Sequence, residues 1–233
     1  YDEDILKEIR SEASINLREK GYFSFNENYI EFAVDTNLNN NFLNIEMLIN
    51  SPTHKENDSI IELKHKPYKI NKVFIYPDYY PSTSSLYTPP IDTTIVFHKQ
   101  TKKSKGSALY FIRSKHQSIK DKPIARSILL QKNNLFSTSL AKNTFAALSQ
   151  LQNFKYIDIS FSPVDALSNE DTLSLDCLIK LSMAKPVNLT SSFEFNFSNA
   201  NNSLNIQNTS MLGSEINLGF SHNNLFKGAE IFS

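Results

Sequence analysis

Residues 154–161 read Phe-Lys-Tyr-Ile-Asp-Ile-Ser-Phe, and from Ile157 onward apolar and polar side chains alternate. This period of two predicts a β-strand with one buried face. A polar turn follows, and a second alternating run extends from Leu173 to Met183. Together the two runs predict an antiparallel hairpin. Cys177 falls on the buried face of the second run, where we expect a small core side chain and not a reactive thiol.

Two helices and a strand are predicted before this hairpin. Ser137 is suited to capping a helix whose inner face would carry Ala141, Phe145, Leu148 and Leu151 or Gln152. An earlier helix begins near Pro123, which a first turn tolerates. A strand is predicted from Tyr68 to Tyr76, and a hairpin at about 93–113 reads as an insertion. The order is therefore strand–helix–helix–strand–strand, an α+β unit with a three-stranded sheet covered by two helices.

The first 66 residues repeat the second half of this unit. A helix is predicted from Asp2 to Lys20, with an apolar stripe formed by Ile5, Ile9, Ala13 and Leu17, and Gly21 is a typical stop signal. Alternating runs around Ile30–Val34 and Leu43–Ile49 predict a hairpin with one face against this helix. Residues 51–66 read as a polar linker. The chain thus contains an internal repeat whose first copy is incomplete.

The last 47 residues or so have a different pattern. Apolar residues alternate with small polar ones from Leu189 to Phe197 and again from Ile216 to Phe220, without an accompanying helix. Transmembrane β-strands of about 9–11 residues have this pattern, with one face toward lipid. The edge of a β-sandwich in water has it too, and spacing alone supports both interpretations equally.

Composition excludes several classes of protein. The chain has 233 residues with 24 basic and 24 acidic side chains, which argues against a nucleic-acid binder. One cysteine excludes an internal disulfide and a multi-cysteine zinc site. The five histidines include no pair spaced i, i+4, and no nucleophile elbow or phosphate-binding loop occurs. We expect no catalytic residue, no cofactor, no metal site and therefore no enzyme.

Several motifs are similar to those of a known family. Asn223-Asn224-Leu225-Phe226-Lys227-Gly228-Ala229-Glu230 resembles the periplasmic turn after the second barrel strand in the BamA/TamA outer-membrane assembly superfamily. The residues that carry this turn motif are Asn224, Leu225, Phe226, Gly228, Ala229 and Glu230. Leu135-Phe136-Ser137 and the run from Phe154 to Ile159 resemble the last POTRA module of that family. The segments Leu175–Ile179 and Tyr68–Asp78 look most like the TamA-like lipoprotein branch.

This resemblance implies tandem POTRA modules followed by the first strands of an antiparallel outer-membrane β-barrel. Residues 1–66 would be a partial module with its linker, residues 67–186 a complete module, and residues 187–233 the opening strands of a truncated barrel. It also implies a bacterial outer-membrane location, with residues 1–186 on the periplasmic side. The implied partners are unfolded or nascent outer-membrane client proteins, a periplasmic or inner-membrane partner subunit, and outer-membrane lipid, without nucleic acid.

The expected mechanism is capture of extended clients by β-strand addition at open sheet edges, followed by transfer to the barrel. In this family the edge is expected to be the second strand of each module. The expected partner-binding residues are Tyr29, Ile30, Glu31, Phe32, Ala33, Val34, Lys155, Tyr156, Ile157, Asp158, Ile159 and Ser160. The alternative is a soluble periplasmic or surface α+β binding protein with an all-β C-terminal extension.

Overall fold

The protein is described from a computed structural model. The structure describes residues 3–35, 44–56, 59–79, 92–98, 106–113, 119–164, 170–199, 210–224, 226–229 and 231–232.

The chain opens with helix α1, Glu3–Glu19, followed by a 3₁₀ turn at Glu27–Tyr29 and an antiparallel hairpin of β1, Ile30–Asp35, and β2, Asn44–Ile49. Gly21 ends α1 with a φ of 105°, in the left-handed region that favours glycine. The predicted helix and hairpin are thus confirmed, but the expected packing between them is wrong along most of their length.

The apolar stripe of α1 stays open. Ile5 and Ile9 are 54% and 41% exposed, and the buried residue of the helix is Ser14. All of β2 is exposed as well. The larger contacts of α1 are with the 3₁₀ turn and with a helix of the following unit. A contact with the hairpin is made by the Arg10 guanidinium, whose carbon lies 5.7 Å from the centroid of the Phe32 ring.

The predicted linker at 51–66 also differs from the structure. It contains a short antiparallel hairpin of β3, Thr53–Glu56, and β4, Ser59–Glu62. Runs of four residues are too short for alternation to reveal them in the sequence.

The next unit is built on a five-stranded sheet. Its strands are β5, Tyr68–Tyr76, β6, Asp92–His98, β7, Ser107–Arg113, β8, Phe154–Pro163, and β9, Leu173–Met183. Their order is β6-β7-β5-β9-β8, with β5 parallel to both β7 and β9 and the other two pairs antiparallel. The predicted three-stranded sheet is therefore wrong in strand number. The inserted hairpin extends the sheet because β7 pairs with the backbone edge of β5 that would otherwise be bare.

Two helices complete this unit: α2, Asp121–Ser127, and α3, Thr138–Gln150. Ser137 caps α3 by accepting a hydrogen bond from the backbone N–H of Leu140, as predicted. Leu148 is buried, whereas Phe145, expected on the inner face, is 47% exposed. Thr144 takes the buried position instead. Its hydroxyl accepts from Leu129 N–H and donates to Leu140 C=O, so that burying it leaves neither group unsatisfied.

The core of the unit lies between the helices and one face of the sheet. Alternate residues of β9, including Leu175, Cys177 and Ile179, are fully buried, which confirms the period-two prediction. Phe23, just after Gly21, joins this core, with its ring centroid 5.0 Å from that of Phe136 and 5.7 Å from that of Tyr68. The segment that follows α1 is therefore anchored in the core of the larger unit.

The chain ends in a long antiparallel hairpin of β10, Val187–Asn199, and β11, Ser210–Asn223, with a two-residue strand β12, Ile231–Phe232, beside β11. Only three residues separate β9 from β10.

Candidate functional site

Strand β8 is an outer strand of the five-stranded sheet. Within the described ranges it pairs with β9 alone, so its other backbone edge is unpaired there. Ile157 and Ile159 pack against the core, while Asp158 lies 3.9 Å from Lys180 across the strand pair. The predicted partner-binding residues Lys155–Ser160 therefore all lie on an edge strand.

The predicted residues of the opening hairpin lie in a different sheet. Glu31–Val34 belong to β1, which pairs with β2 in a two-stranded sheet. Ile30 is buried, and Tyr29 lies in the 3₁₀ turn, with its ring centroid 4.7 Å from that of His65. The structure therefore does not bring the two predicted segments together into one site.

The terminal hairpin presents an apolar face. Leu189 pairs with Phe220, Phe193 with Ile216, and Ser191 with Leu218. The five apolar side chains are 54–76% exposed. A contiguous apolar surface on both strands is unusual on a protein surrounded by water and marks an interaction surface.

The opposite face of the hairpin is polar. Ser192 pairs with Asn217, and Glu194 lies directly opposite Glu215. Like charges in direct cross-strand pairs are destabilising unless water screens them. The polar face is therefore suited to contact with water and the apolar face to an apolar environment.

The turn that follows β11 docks onto the five-stranded unit. The backbone N–H of Lys120, just before α2, donates to Lys227 C=O at 2.8 Å. The Asn223 side-chain amide donates to Gln152 C=O at 3.1 Å, and Ala229 packs against the core. These contacts fix the hairpin's near end to the helices.

The turn motif has a specific backbone conformation. Asn224, Lys227 and Ala229 have φ values of 68°, 61° and 63°, and Asn224 Oδ1 accepts a hydrogen bond from Ala229 N–H. Asparagine adopts such left-handed angles more readily than most residues. Phe226 is 70% exposed, and Gly228 lies in the same turn. Leu225 and Glu230 lie outside the described residues.

Comparisons with known proteins give likenesses among solved structures. No family model matches the chain, and no curated protein matches it. Among solved structures, it is similar to BamA from Haemophilus ducreyi lacking POTRA domains 1–3. The TM-score is 0.49 at 12% sequence identity, over 96% of this chain. The chain spans 29% of the length of that BamA chain.

The pKa shifts of two buried groups in the described residues, Cys177 and Arg113, are caused mainly by burial. Burial raises the pKa of the Cys177 thiol well above its usual range, which keeps it protonated. Burial lowers the pKa of Arg113, and the nearby charges of Asp92 and Asp78 counteract this.

In the parts of the chain that the structure describes, no three His, Cys, Asp or Glu side chains are grouped to hold a metal ion. Within the same residues, no helix is long and apolar enough to cross a bilayer.

Sequence reasoning missed two features of this unit. Arg113, buried on β7, forms an ion pair with Asp121 in the first turn of α2. The second is an apolar surface on the sheet face where Ile95, Phe97 and Tyr110 lie. The sequence does contain a signal for the apolar surface. Ile95 and Phe97 share one face of β6, and Val96 lies on the other, so both faces carry apolar residues.

Proposed function

We propose that this chain acts in the assembly or translocation of outer-membrane proteins, as a non-enzymatic member of the BamA/TamA superfamily related to its TamA-like branch. In this proposal the five-stranded unit is a POTRA-type module in the periplasm. The terminal hairpin contributes the first strands of a membrane barrel. Unfolded client proteins are captured on the module and passed to the barrel.

The observation that carries the proposal is the terminal hairpin with its two chemically different faces. Its strands have 13 and 14 residues, more than the ~9–11 that a tilted strand needs to cross a bilayer. Leu189, Phe193 and Leu218 on one face suit lipid, and Glu194 opposite Glu215 on the other suits a water-filled interior.

The position of the module supports the same proposal. Because three residues separate β9 from β10, and because the turn at Lys227 is hydrogen-bonded to Lys120, the module lies directly beside the hairpin. Material bound on the module would thus be held next to the membrane strands.

Client capture is proposed at the edge of β8, with Lys155–Ser160 as the receiving segment, and at β1 in the opening unit. An added strand would form backbone hydrogen bonds there, each contributing a net ~0.5–1.5 kcal/mol. Association costs offset a large part of a handful of such bonds. The resulting weak and sequence-tolerant binding suits a protein that releases its clients.

The membrane part is tested by placing a polarity-sensitive fluorophore on single cysteines of the full-length protein in its native membrane. Leu189→Cys and Leu218→Cys report the apolar face, and Ser192→Cys and Asn217→Cys are matched controls on the same strands. The buried Cys177 does not compete for the label. Nitroxide-labelled lipid should quench the first pair and spare the second. Equal emission without quenching at all four positions would refute the membrane proposal and favour a binding protein in water.

The capture part is tested with a photocrosslinking amino acid at Ser162, which is exposed on β8. Asn143, exposed on α3, is the matched control position. Crosslinks to an unfolded barrel protein should form from position 162 and not from position 143. Equal yields from both positions would contradict capture at β8.

A further inference from the structure

The inserted hairpin gives the five-stranded sheet a second outer strand, β6, at the end opposite β8. In the described residues β6 pairs with β7 alone. We propose that the outer edge of β6 is a second strand-addition site, which takes an extended client segment with alternating apolar side chains and no charge on its apolar face. This inference rests on the proposed function for the nature of the client.

The face of β6 turned away from the helices carries the most exposed apolar side chains of the sheet. Phe97 is 73% exposed and Ile95 is 52% exposed. Ile95 pairs with Tyr110 of β7, whose ring centroid lies 5.5 Å from that of Phe74 on β5. The apolar surface therefore continues from β6, which is the outer strand among the described residues, across β7 to β5.

The edge itself has few of the features that normally prevent strand addition. Proteins protect outer strands with charges, proline or β-bulges. In β6 the one charged residue among Asp92–Phe97 is Asp92, at the first position of the strand; there is no proline, and the register with β7 is unbroken from Asp92 to His98. By contrast, β8 has a register irregularity between Phe154 and Tyr156, charges at Lys155 and Asp158, and a proline at position 163. By this criterion β6 is the more receptive edge.

The receiving strand is also held rigidly. Val96 packs against the core, and Thr94 lies 3.5 Å from the guanidinium of Arg113, which is itself paired with Asp121 of α2. On binding, the client strand would lose conformational entropy, but β6 is already ordered and would lose little, which favours binding.

These features select the occupant. An unpaired strand edge offers backbone hydrogen bonds, which an added polypeptide strand can satisfy along its length. Alternate side chains of that strand would lie beside Ile95 and Phe97 and gain by being apolar. Since Thr93–Phe97 carries no charge to pair with, a charge on the apolar face of the added strand would gain nothing there. The β10 strand of this chain has the required alternation, and barrel clients would share it.

The test uses the full chain in detergent micelles and a fluorescent peptide with the sequence of residues 187–199. A scrambled peptide of equal composition is the control ligand. We expect Ile95→Lys with Phe97→Lys to raise the Kd for the 187–199 peptide at least tenfold, because lysines protect an outer strand. The matched variant Ser162→Lys on β8 should not change binding of the peptide at β6. This is measured as an unchanged yield of crosslinks from a photocrosslinking amino acid at position 97. Ile95→Thr with Phe97→Thr keeps strand propensity and should also weaken binding, which preserves the test if the lysine variant does not fold.

A photocrosslinking amino acid at Phe97 identifies the occupant directly. Crosslinks to the 187–199 peptide but not to the scrambled one support the proposal. Crosslinks only to a second copy of the chain, or only within the chain to residues 80–91, would overturn it, as would an unchanged Kd in both double variants. Quenching at Leu189 and Leu218 tests the membrane location of the hairpin, and crosslinking at Phe97 tests peptide binding at β6. The two measurements are independent, so the proposed function and the β6 site can fail separately.

Discussion

The carboxylate of Glu19, at the end of α1, caps α3, which begins almost 120 residues later. Glu19 Oε2 accepts a hydrogen bond from the backbone N–H of Ser139 at 2.9 Å, and Oε1 accepts one from the hydroxyl of Ser137 at 2.5 Å. A negative charge at a helix N-terminus is favoured by the helix dipole. This contact therefore couples the opening unit to the five-stranded unit.

Replacing Glu19 should loosen that coupling. We expect Glu19→Ala to lower the free energy of unfolding by about 0.3–1 kcal/mol, since it removes one charge from the first turn of α3. Guanidinium chloride unfolding measures the effect. Glu12→Ala, at an exposed position of the same helix, is the control and should leave stability nearly unchanged. Equal losses from both variants would contradict a capping role.

The same contact should be sensitive to acid. The pKa of Glu19 lies below its ordinary value of 4.5, chiefly because the Ser137 hydroxyl donates a hydrogen bond to the carboxylate. Burial of the carboxylate opposes this lowering, and the hydrogen bond from the Ser139 backbone N–H adds to it. A lowered pKa in the folded state means that the ionised carboxylate stabilises the fold above pH 4.5, and that this contribution is lost as the pH falls through the folded-state pKa.

The difference in free energy of unfolding between the wild type and Glu19→Gln should therefore be largest near neutral pH. It should become smaller as the pH is lowered below 4.5. Unfolding curves collected at several pH values test this. A difference that stays constant across the acid range would show that the charge of Glu19 does not contribute.

The sequence predicted the local elements of this fold better than their contacts. Alternation placed β8 and β9 correctly, and Ser137 marked the start of α3, because period and capping are properties of neighbouring residues. The contact between Glu19 and Ser137 joins residues 118 positions apart, and no local pattern signals it.

The addition of β6 and β7 to the sheet was missed for a similar reason. A hairpin read alone gives no sign of which third strand it will pair with, and the parallel register of Val73 with Leu109 is set only in the folded sheet. For the candidate sites, the sequence identified the outer strand β8 but not the second edge at β6, since the latter exists only because the insertion joins the sheet.

The ion pair between Arg113 and Asp121 gives a third prediction. Both side chains are largely buried, at 5% and 14% exposure. Arg113→Met leaves the Asp121 carboxylate without its cation and should destabilise the fold by about 3–5 kcal/mol. Asp121→Asn should destabilise it less, because Arg113 keeps the nearby charges of Asp92 and Asp78.

The double variant Arg113→Met with Asp121→Asn should lose clearly less than the sum of the two single losses, because the ion pair that both single variants break is lost only once. A double-mutant cycle by denaturant unfolding measures this coupling. Additive losses would mean that the two side chains act independently. Because Arg113 also lies beside Thr94 of β6, amide exchange along β6 should accelerate in each single variant.

The turn at Asn224 gives the last prediction, which concerns how the hairpin is held against the module. Asn224 has a φ of 68° and accepts the hydrogen bond of Ala229 N–H through its side chain. Asn224→Gly keeps the backbone conformation accessible and loses the bond to Ala229 N–H, a net ~0.5–1.5 kcal/mol. Asn224→Ala loses the same bond and in addition places an L side chain in a left-handed conformation, which destabilises by about 1 kcal/mol more.

The amide of Lys120 reports the docked turn directly, since it donates to Lys227 C=O. Its protection against hydrogen exchange should fall from wild type to Asn224→Gly and fall further in Asn224→Ala, whereas Asn143→Ala on the exposed side of α3 should not change it. Equal protection in the glycine and alanine variants would mean that the backbone angle at position 224 does not hold the turn. The graded loss would instead show that one left-handed asparagine helps to fix the hairpin against the helices.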